Sequence, residues 1–206
     1  MVTRSLAIGI AGGTGAGKTS LARLLVGRLG HATVLDLDSY YLDRGTLTRE
    51  RRERLNFDEP AAFDSQLLGE HLRQLVCGHS VEKPRYSFES HTRVGSESVA
   101  PAPVIVVEGL FALWWEYLRR LFDLKVFLHA PGDVRLLRRL ERDVESRGRT
   151  AESVLRQYVA TVIPMHDLYV EPTRSYADLV LTNDQDLGAC VNAVCTALQS
   201  TRSGRR

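Results

Sequence analysis

The stretch Leu6-Ala-Ile-Gly-Ile-Ala-Gly-Gly-Thr-Gly-Ala-Gly-Lys-Thr19 decides the fold that this sequence predicts. Its first part, Leu6 to Ile10, is a short apolar run that fits a strand buried on both faces, and helical leucine spacing follows from Lys18 to Leu29. Between them lies the pattern G-x4-G-K-[ST], whose glycines let backbone N–H groups wrap a polyphosphate at a helix N-terminus. The segment therefore predicts a strand, a phosphate-binding loop and a helix.

The residues of this loop have separate expected roles in nucleotide binding. Lys18 is expected to reach the β and γ phosphates, and the Thr19 hydroxyl is expected to ligate Mg²⁺. GTPases, ATPases, transport motors and small-molecule kinases share such a loop, so it predicts nucleotide binding without identifying a reaction. We expect ATP as the donor and leave GTP open. The expected nucleotide contacts are Gly12, Gly13, Thr14, Gly15, Ala16, Gly17, Lys18, Thr19 and Ser20.

The rest of the chain alternates strands with helices, which predicts an α/β fold with a parallel sheet and helices on both faces. Residues 1–206 are interpreted as one P-loop domain, with 81–99 as a substrate-side β-hairpin flap and 134–163 as a helical lid. A disordered tail is expected over 200–206. Further strands are predicted at Thr33–Leu37, Val104–Val107, Leu124–Leu128 and Asp178–Leu181. Further helices are predicted from Asp64 to Val76, at Phe111–Leu121, Asp133–Glu145 and Ala151–Ile163, and from Asp186.

Composition narrows the class of protein. The chain has 206 residues, 44% of them hydrophobic and 25% charged, which suits one domain with a buried core. Its net charge of +2 indicates neither nucleic-acid nor membrane-surface binding, and no apolar run reaches the ~18 residues of a membrane span. Cys77, Cys190 and Cys195 form no CxxC pair, which favours reduced, buried thiols in the cytoplasm.

Two carboxylates follow predicted strands on the side where the phosphate loop lies. Phosphoryl transfer to a hydroxyl needs one carboxylate near that hydroxyl and another near the metal. Asp38 is the candidate general base, with a helix-cap or turn role as the alternative. Glu108 is the candidate metal-side ligand, directly or through water, with a loop carboxylate paired to lysine or arginine as the alternative.

From Ile8 to about Leu181 the chain resembles the uridine–cytidine kinase family of P-loop kinases. The segment Asn56 to Asp64 and the Tyr-x-Phe-x-x-His element are specific to that family, whereas the P-loop alone is not. The chain departs from the family at Ser87, where Asp is usual, and at His129, where relatives are often acidic. The matching pieces are Gly12 to Ser20, Asp38-Ser-Tyr-Tyr41, Asn56-Phe-Asp-Glu-Pro-Ala-Ala-Phe-Asp64, Pro84-Arg-Tyr-Ser-Phe-Glu-Ser-His-Thr-Arg93, Val107-Glu-Gly-Leu110, Arg142-Asp-Val-Glu-Ser-Arg-Gly-Arg149 and Pro172-Thr-Arg-Ser-Tyr-Ala-Asp178.

The resemblance implies ATP- and Mg²⁺-dependent phosphorylation of the 5′-hydroxyl of uridine or cytidine, in pyrimidine salvage, with Asp38 as the base. It also implies a homo-oligomer, because members of the family are tetramers. Asp58 matches the residue that grips the ribose hydroxyls, with Arg139 beside it. The ring-holding positions are Phe57, Tyr86, Phe88 and His91. The other implied contacts are Arg149 and Gln157 to substrate, Arg142 and Arg147 on the lid over the phosphates, and Asp186 on the nucleotide side.

Two rival functions remain open at the level of sequence. A phosphoribulokinase- or pantothenate-kinase-like enzyme would keep the loop and Asp38 but change the hairpin residues. A P-loop switch would bind nucleotide and hydrolyse it slowly, but the Asn-Lys-x-Asp string that a GTPase uses for guanine is absent from this sequence.

Overall fold

The computed structural model of the chain describes residues 4–183 and 186–203. Its strands are β1 (Leu6–Ala11), β2 (Ala32–Asp36), β3 (Val81–Ser87), β4 (Thr92–Val99), β5 (Val104–Glu108), β6 (Leu124–His129) and β7 (Leu179–Thr182). Within the described ranges, five of them form one sheet in the order β2-β5-β1-β6-β7, and its neighbouring strands are parallel. Strands β3 and β4 form a separate antiparallel hairpin.

Helices follow most strands of the sheet. The α-helices are α1 (Lys18–Leu29), α2 (Arg49–Glu53), α3 (Ser65–Val76), α4 (Glu116–Arg119), α5 (Gly132–Arg147), α6 (Ala151–Gln157), α7 (Ile163–Met165) and α8 (Leu187–Ser203). Short 3-10 helices occur at Leu37–Tyr40, Pro60–Ala62 and Glu171–Tyr176, and π-helical turns at Tyr158–Val162 and His166–Val170. No helix in the described part of the chain is long and apolar enough to cross a bilayer.

Both faces of the sheet are covered by helices. Successive side chains of a strand point to opposite faces, so neighbouring residues of β1 lie in different clusters. Ile8 of β1 is fully buried in a cluster with Leu21 of α1 and Val194 of α8. Its neighbour Ala7 lies in a second cluster with Leu72 of α3. The predicted α/β architecture, with a parallel sheet and helices on both faces, is confirmed.

Three strands end together at the edge of the sheet that carries the candidate site. Ile10 of β1 and Asp36 of β2 both pair in register with Glu108 of β5. Ligand sites of parallel α/β sheets lie beyond the carboxyl ends of the strands. The phosphate loop, the 3-10 turn at Leu37–Tyr40 and Glu108 therefore meet at this edge.

The predicted helix Phe111–Leu121 is wrong over its first half, since the α-helix covers only Glu116–Arg119. Phe111, Ala112 and Leu113 are all fully buried. A surface helix cannot turn three consecutive side chains into the core, so this segment leaves helical geometry. The Arg119 guanidinium bonds the carbonyl oxygen of Leu113 at 2.9 Å, which holds the turn in place.

Three further expectations need correction. The helix predicted at Ala151–Ile163 is α-helical only to Gln157 and continues as a π-helical turn. The tail is ordered as part of α8 as far as Ser203, where the Thr201 hydroxyl bonds Ala197 O at 3.0 Å; residues 204–206 lie outside the described part. The side chain of Cys77 is exposed, not buried; Cys190 is buried.

Candidate active site

The phosphate loop joins β1 to α1, and two of its glycines are required by close backbone approaches. Gly12 has φ +148°, and a Cβ atom there would lie 2.2 Å from the carbonyl oxygen of Leu128. At Gly15, with φ +74°, a Cβ atom would lie 2.3 Å from the carbonyl oxygen of Arg135. The loop is therefore held between β6 and α5, and it delivers the free N–H groups of the α1 N-terminus to one place.

Lys18 is the buried cation of this loop. Its side-chain amine donates to the Gly13 carbonyl at 2.9 Å, and the residue is 8% exposed. Burial lowers the pKa of Lys18, while the negative charges of Glu108 and Asp38 oppose that change. The loop thus holds a cation against two carboxylates at the edge of the sheet.

Thr19 and Glu108 bring two oxygen donors together across the edge of the sheet. The Thr19 hydroxyl donates to Glu108 Oε1 at 2.7 Å. Glu108 ends β5 in a buried position, and burial raises its pKa against the opposing charge of Lys18. Mg²⁺ prefers oxygen ligands and usually takes one or two from protein and the others from phosphates and water. The pair fits that pattern, and the described residues contain no cluster of three His, Cys, Asp or Glu that could hold a metal alone.

Asp38 lies on the 3-10 turn that follows β2. Asp36 caps this turn, because its Oδ1 accepts from the Ser39 backbone N–H at 2.9 Å and from the Ser39 hydroxyl at 2.6 Å. The second oxygen of Asp36 pairs with Lys83 of the hairpin at 2.6 Å. The cap role that was the alternative for Asp38 thus belongs to Asp36, so the Asp38 carboxylate is not needed for the cap.

The charges around Asp38 define its chemistry. Among the described residues, the cation that pairs with Asp38 is Arg147, whose Nη2 lies 4.0 Å from Asp38 Oδ2. Partial burial raises the pKa of the Asp38 carboxyl, and the positive charges of Arg147 and Lys18 oppose that rise. Because the Asp38 side chain is 46% exposed to solvent, water also limits the rise. A carboxylate in this position can accept a proton from a hydroxyl group that is bound next to it.

Asp58 is held in a buried polar group between the chain before α3 and the helices after α5. Its Oδ2 accepts from Gln157 Nε2 at 2.9 Å and from the Thr161 hydroxyl at 2.7 Å. Its Oδ1 faces Arg139 Nη1 at 3.8 Å. Gln157 in turn accepts from Arg139 at 3.0 Å and from Arg149 at 2.5 Å. The substrate-side residues predicted apart from the rings therefore form one network.

The aromatic residues gather around Tyr41, which the sequence analysis did not assign. The ring centroid of Tyr41 lies 5.7 Å from that of Phe57, 4.9 Å from Tyr86 and 6.2 Å from Phe88. The Phe57 and His91 rings stack at 4.6 Å. The Tyr86 hydroxyl is buried and has no hydrogen-bond partner among the described residues. All four predicted ring-holding residues thus lie together beside the Asp38 turn.

Arg142 and Arg147 of helix α5 place positive charge near the Asp38 carboxylate. The Arg147 guanidinium lies 4.0 Å from the centre of the Phe88 ring, so the end of α5 closes over the hairpin. The positive charge of Arg142 acts on both Lys18 and Asp38. Both arginines predicted over the phosphates therefore lie near the candidate base, and Arg142 also acts on Lys18 of the loop.

Asp186, which is predicted on the nucleotide side, directly precedes helix α8. Its carboxylate is exposed and accepts from the Gly188 N–H at 2.6 Å, which caps the start of α8. A cleft of about 360 Å³ opens next to it, lined by Gly17, Ser20, Arg138, Asn183 and Leu187. Asp186 thus caps the helix whose first residue, Leu187, lines this cleft together with Gly17 of the phosphate loop.

Several residues of the site escaped the sequence analysis. Thr161 carried a usable signal, because it is four residues after Gln157 and shares its helical face. Tyr41 stood inside a quoted motif and Asp143 between two assigned arginines, but neither position reveals its contacts. Arg135 packs on the loop at Gly13 and Gly15 through tertiary folding alone.

The sequence is similar to those of known P-loop kinases over most of its length. The sequence profile of the "Phosphoribulokinase / Uridine kinase family" matches residues 7–187. A uridine kinase from Halobacterium salinarum is 46% identical over 183 residues, covering 88% of this chain and 81% of that protein. One from Geobacillus sp. is 42% identical over 203 residues, covering 97% of this chain and 96% of that protein.

A solved structure supports the fold. That of a possible uridine kinase from Bacillus stearothermophilus aligns with a TM-score of 0.62 at 23% identity, covering 88% of this chain and 90% of that one. The family profile matches most of the chain, and the two relatives are more than 40% identical to it over 81% and 96% of their own lengths. The chain belongs to the phosphoribulokinase/uridine kinase family of P-loop kinases.

Proposed function

We propose that this kinase transfers the γ-phosphate of ATP to the 5′-hydroxyl of uridine and cytidine, in pyrimidine salvage in the cytoplasm. The observation that carries the proposal is that the charge of Asp38 acts both on Lys18 of the phosphate loop and on Tyr41, which also feels the charge of Asp58 and lies among the aromatic residues. A donor on the loop and an acceptor on the other side would meet at this carboxylate. The names of the relatives support uridine as the acceptor.

In the proposed reaction Asp38 accepts the proton of the 5′-hydroxyl as that oxygen attacks the γ-phosphorus. Lys18, Arg142 and Arg147 place positive charge where negative charge develops on the transferred group. Bound Mg²⁺ would be held by Thr19 and Glu108 and would neutralise phosphate charge. Residues 134–163 act as the lid that excludes water, and 81–99 close the nucleoside side of the single domain.

On the nucleoside side, Asp58 accepts from the vicinal ribose hydroxyls, and Arg139, Arg149 and Gln157 contact the substrate beside it. The rings around Tyr41 take the base. Burial raises the pKa of Tyr86 to about 12, so its hydroxyl stays protonated and can donate to or accept from the base. Asp186 would act on the nucleotide side only through its cap of α8.

The test of this function is an acceptor panel. Purified protein with ATP and Mg²⁺ is assayed for ADP release with uridine, cytidine, adenosine, guanosine, pantothenate and ribulose phosphate. Uridine and cytidine are expected to be phosphorylated. Turnover confined to pantothenate or ribulose phosphate would assign the chain to another kinase of the same build, and acceptor-independent hydrolysis alone would indicate a nucleotide switch.

Purine nucleosides are expected to be poor substrates, because the four predicted ring-holding residues pack closely around one another and Tyr41 and should leave too little room for a bicyclic base. Overfilling a packed site costs about 1–3 kcal/mol, which is about 5- to 150-fold in kcat/KM. His91→Phe should keep the stack on Phe57 but remove the ring nitrogens that can serve either pyrimidine, and so weaken uridine and cytidine together. The measurement is kcat/KM for the four nucleosides. Adenosine equal to uridine on the wild type would refute the pocket, and an unchanged His91→Phe profile would remove His91 from it.

Lys18→Ala should reduce kcat by about 10²–10³-fold, the usual result of losing one preorganised group that stabilises developing charge. The fold should persist, because Lys18 bonds only a loop carbonyl among the contacts described. The measurement is steady-state ADP release, with circular dichroism as the control for folding. Near wild-type turnover in a folded variant would contradict the role of the loop.

A further inference from the structure

We infer that Asp143 is the positioning residue of the lid, and that it aligns the arginines of both substrate sites through one carboxylate. The inference deepens the proposed function and rests on it. Asp143 lies in α5 and is 0% exposed. A buried carboxylate is unfavourable unless cations surround it, so its surroundings show what it holds.

The two oxygens of Asp143 face arginines with different proposed tasks. Oδ1 contacts the phosphate-side pair, Arg142 Nη2 at 2.8 Å and Arg147 Nη1 at 3.6 Å. Oδ2 contacts the ribose-side pair, Arg139 Nε at 3.4 Å and Arg149 Nη1 at 3.6 Å. One side chain is therefore shared by the residues proposed to act on ATP and those proposed to act on the nucleoside.

The backbone of Asp143 fixes the same turn. Its carbonyl oxygen accepts from the N–H groups of Gly148 and Arg149, the latter at 3.1 Å. Gly148 ends α5 in the left-handed conformation, with φ +62°, and the chain turns back so that Arg149 reaches Asp143. Arg139 and Arg147 lie one helical turn before and after Asp143 on the same face of α5.

Charge, rather than hydrogen-bond geometry, dominates on the ribose side. Asp143 Oδ2 and Arg139 Nε are buried and make no hydrogen bond among the described residues, although they lie 3.4 Å apart. Four guanidinium groups would repel one another without a common counter-charge. Asparagine would keep the shape of Asp143 and remove that charge, and both pairs of arginines should then move.

The test compares Asp143→Asn with Glu145→Gln, which neutralises an exposed carboxylate two residues further along α5. A displacement of positioned groups by about 1 Å costs on the order of 10²-fold. Asp143→Asn is therefore expected to lower kcat/KM by about that factor, with a higher KM for uridine and a higher Kd for ATP in calorimetric titrations. Glu145→Gln is expected to match the wild type.

The ATP titration needs no acceptor, so it tests Asp143 even if uridine is not the substrate of the wild type. Unchanged ATP affinity and unchanged uridine KM in folded Asp143→Asn would overturn the inference. A loss confined to one substrate would overturn the shared role.

A second comparison covers the case in which Asp143→Asn does not fold. The double variant Arg142→Ala/Asp143→Asn removes one cation together with the carboxylate, and it is compared with Arg142→Ala. A further rise in uridine KM is expected, because Arg139 and Arg149 lose their counter-charge. An equal uridine KM in the two variants would refute the role of Asp143 on the ribose side.

Discussion

Asp38→Asn is expected to lower kcat by about 10²–10⁴-fold, the usual contribution of a positioned general base. Asparagine keeps the size and the place of the side chain on the 3-10 turn but cannot accept the proton of the attacking hydroxyl. Asp36, not Asp38, caps the turn, so the turn should keep its shape. Both substrates should bind with near wild-type affinity, and the loss should appear in single-turnover rates.

The pH dependence gives a second readout of the same residue. The base must be deprotonated, so kcat/KM should fall as pH decreases through the pKa of Asp38. Because partial burial raises that pKa, the acid limb of the pH profile should lie at a higher pH than an ordinary aspartate would give. The Asp38→Asn variant should lack this limb. Asp133→Asn, at an exposed site on α5, is the matched control and should behave as the wild type. Normal turnover with weakened ATP binding in Asp38→Asn would place Asp38 on the nucleotide side instead.

The sheet could be predicted from the sequence because its strands are buried on both faces. Val104–Val107 and Leu6–Ile10 read as unbroken apolar runs, which leaves little choice of structure. The phosphate loop was as clear from its glycine pattern, and the structure gives the reason: a side chain at Gly12 would strike β6, and one at Gly13 or Gly15 would strike Arg135 of α5. The helix predicted from Phe111 failed because tertiary burial of that segment overrode its helical spacing.

The site was predictable only as far as each residue could be judged alone. Asp38 and Glu108 were found because both follow strands whose carboxyl ends meet at one edge. The contacts of Asp58 with Gln157 and Thr161 span about a hundred residues of chain, and no local pattern encodes them. The cap formed by Asp36 and its ion pair with Lys83 were likewise invisible, because they depend on how the hairpin lies on the 3-10 turn.

Discrimination between ribose and deoxyribose is the other large effect that the site predicts. Asp58 is 8% exposed, and Gln157 and Thr161 both donate to its Oδ2. Its Oδ1 has only a long contact to Arg139, at 3.8 Å, among the described interactions, so it retains capacity to accept from a hydroxyl. A site built to bond a hydroxyl leaves a buried acceptor unpaired when that hydroxyl is missing.

The wild type is therefore expected to prefer uridine to 2′-deoxyuridine by up to about 10⁴-fold in kcat/KM. Asp58→Ala should remove most of that preference by lowering activity on uridine, while ATP affinity stays near the wild-type value because Asp58 lies on the nucleoside side. Thr161→Val is the companion variant: it deletes one donor to Oδ2 and keeps the carboxylate, so most of the preference should survive. The measurement is kcat/KM for both nucleosides on the three proteins, with calorimetric titration of ATP. Comparable activity of the wild type on uridine and 2′-deoxyuridine would show that Asp58 does not read the ribose, and a loss of ATP binding in Asp58→Ala would assign it to the nucleotide.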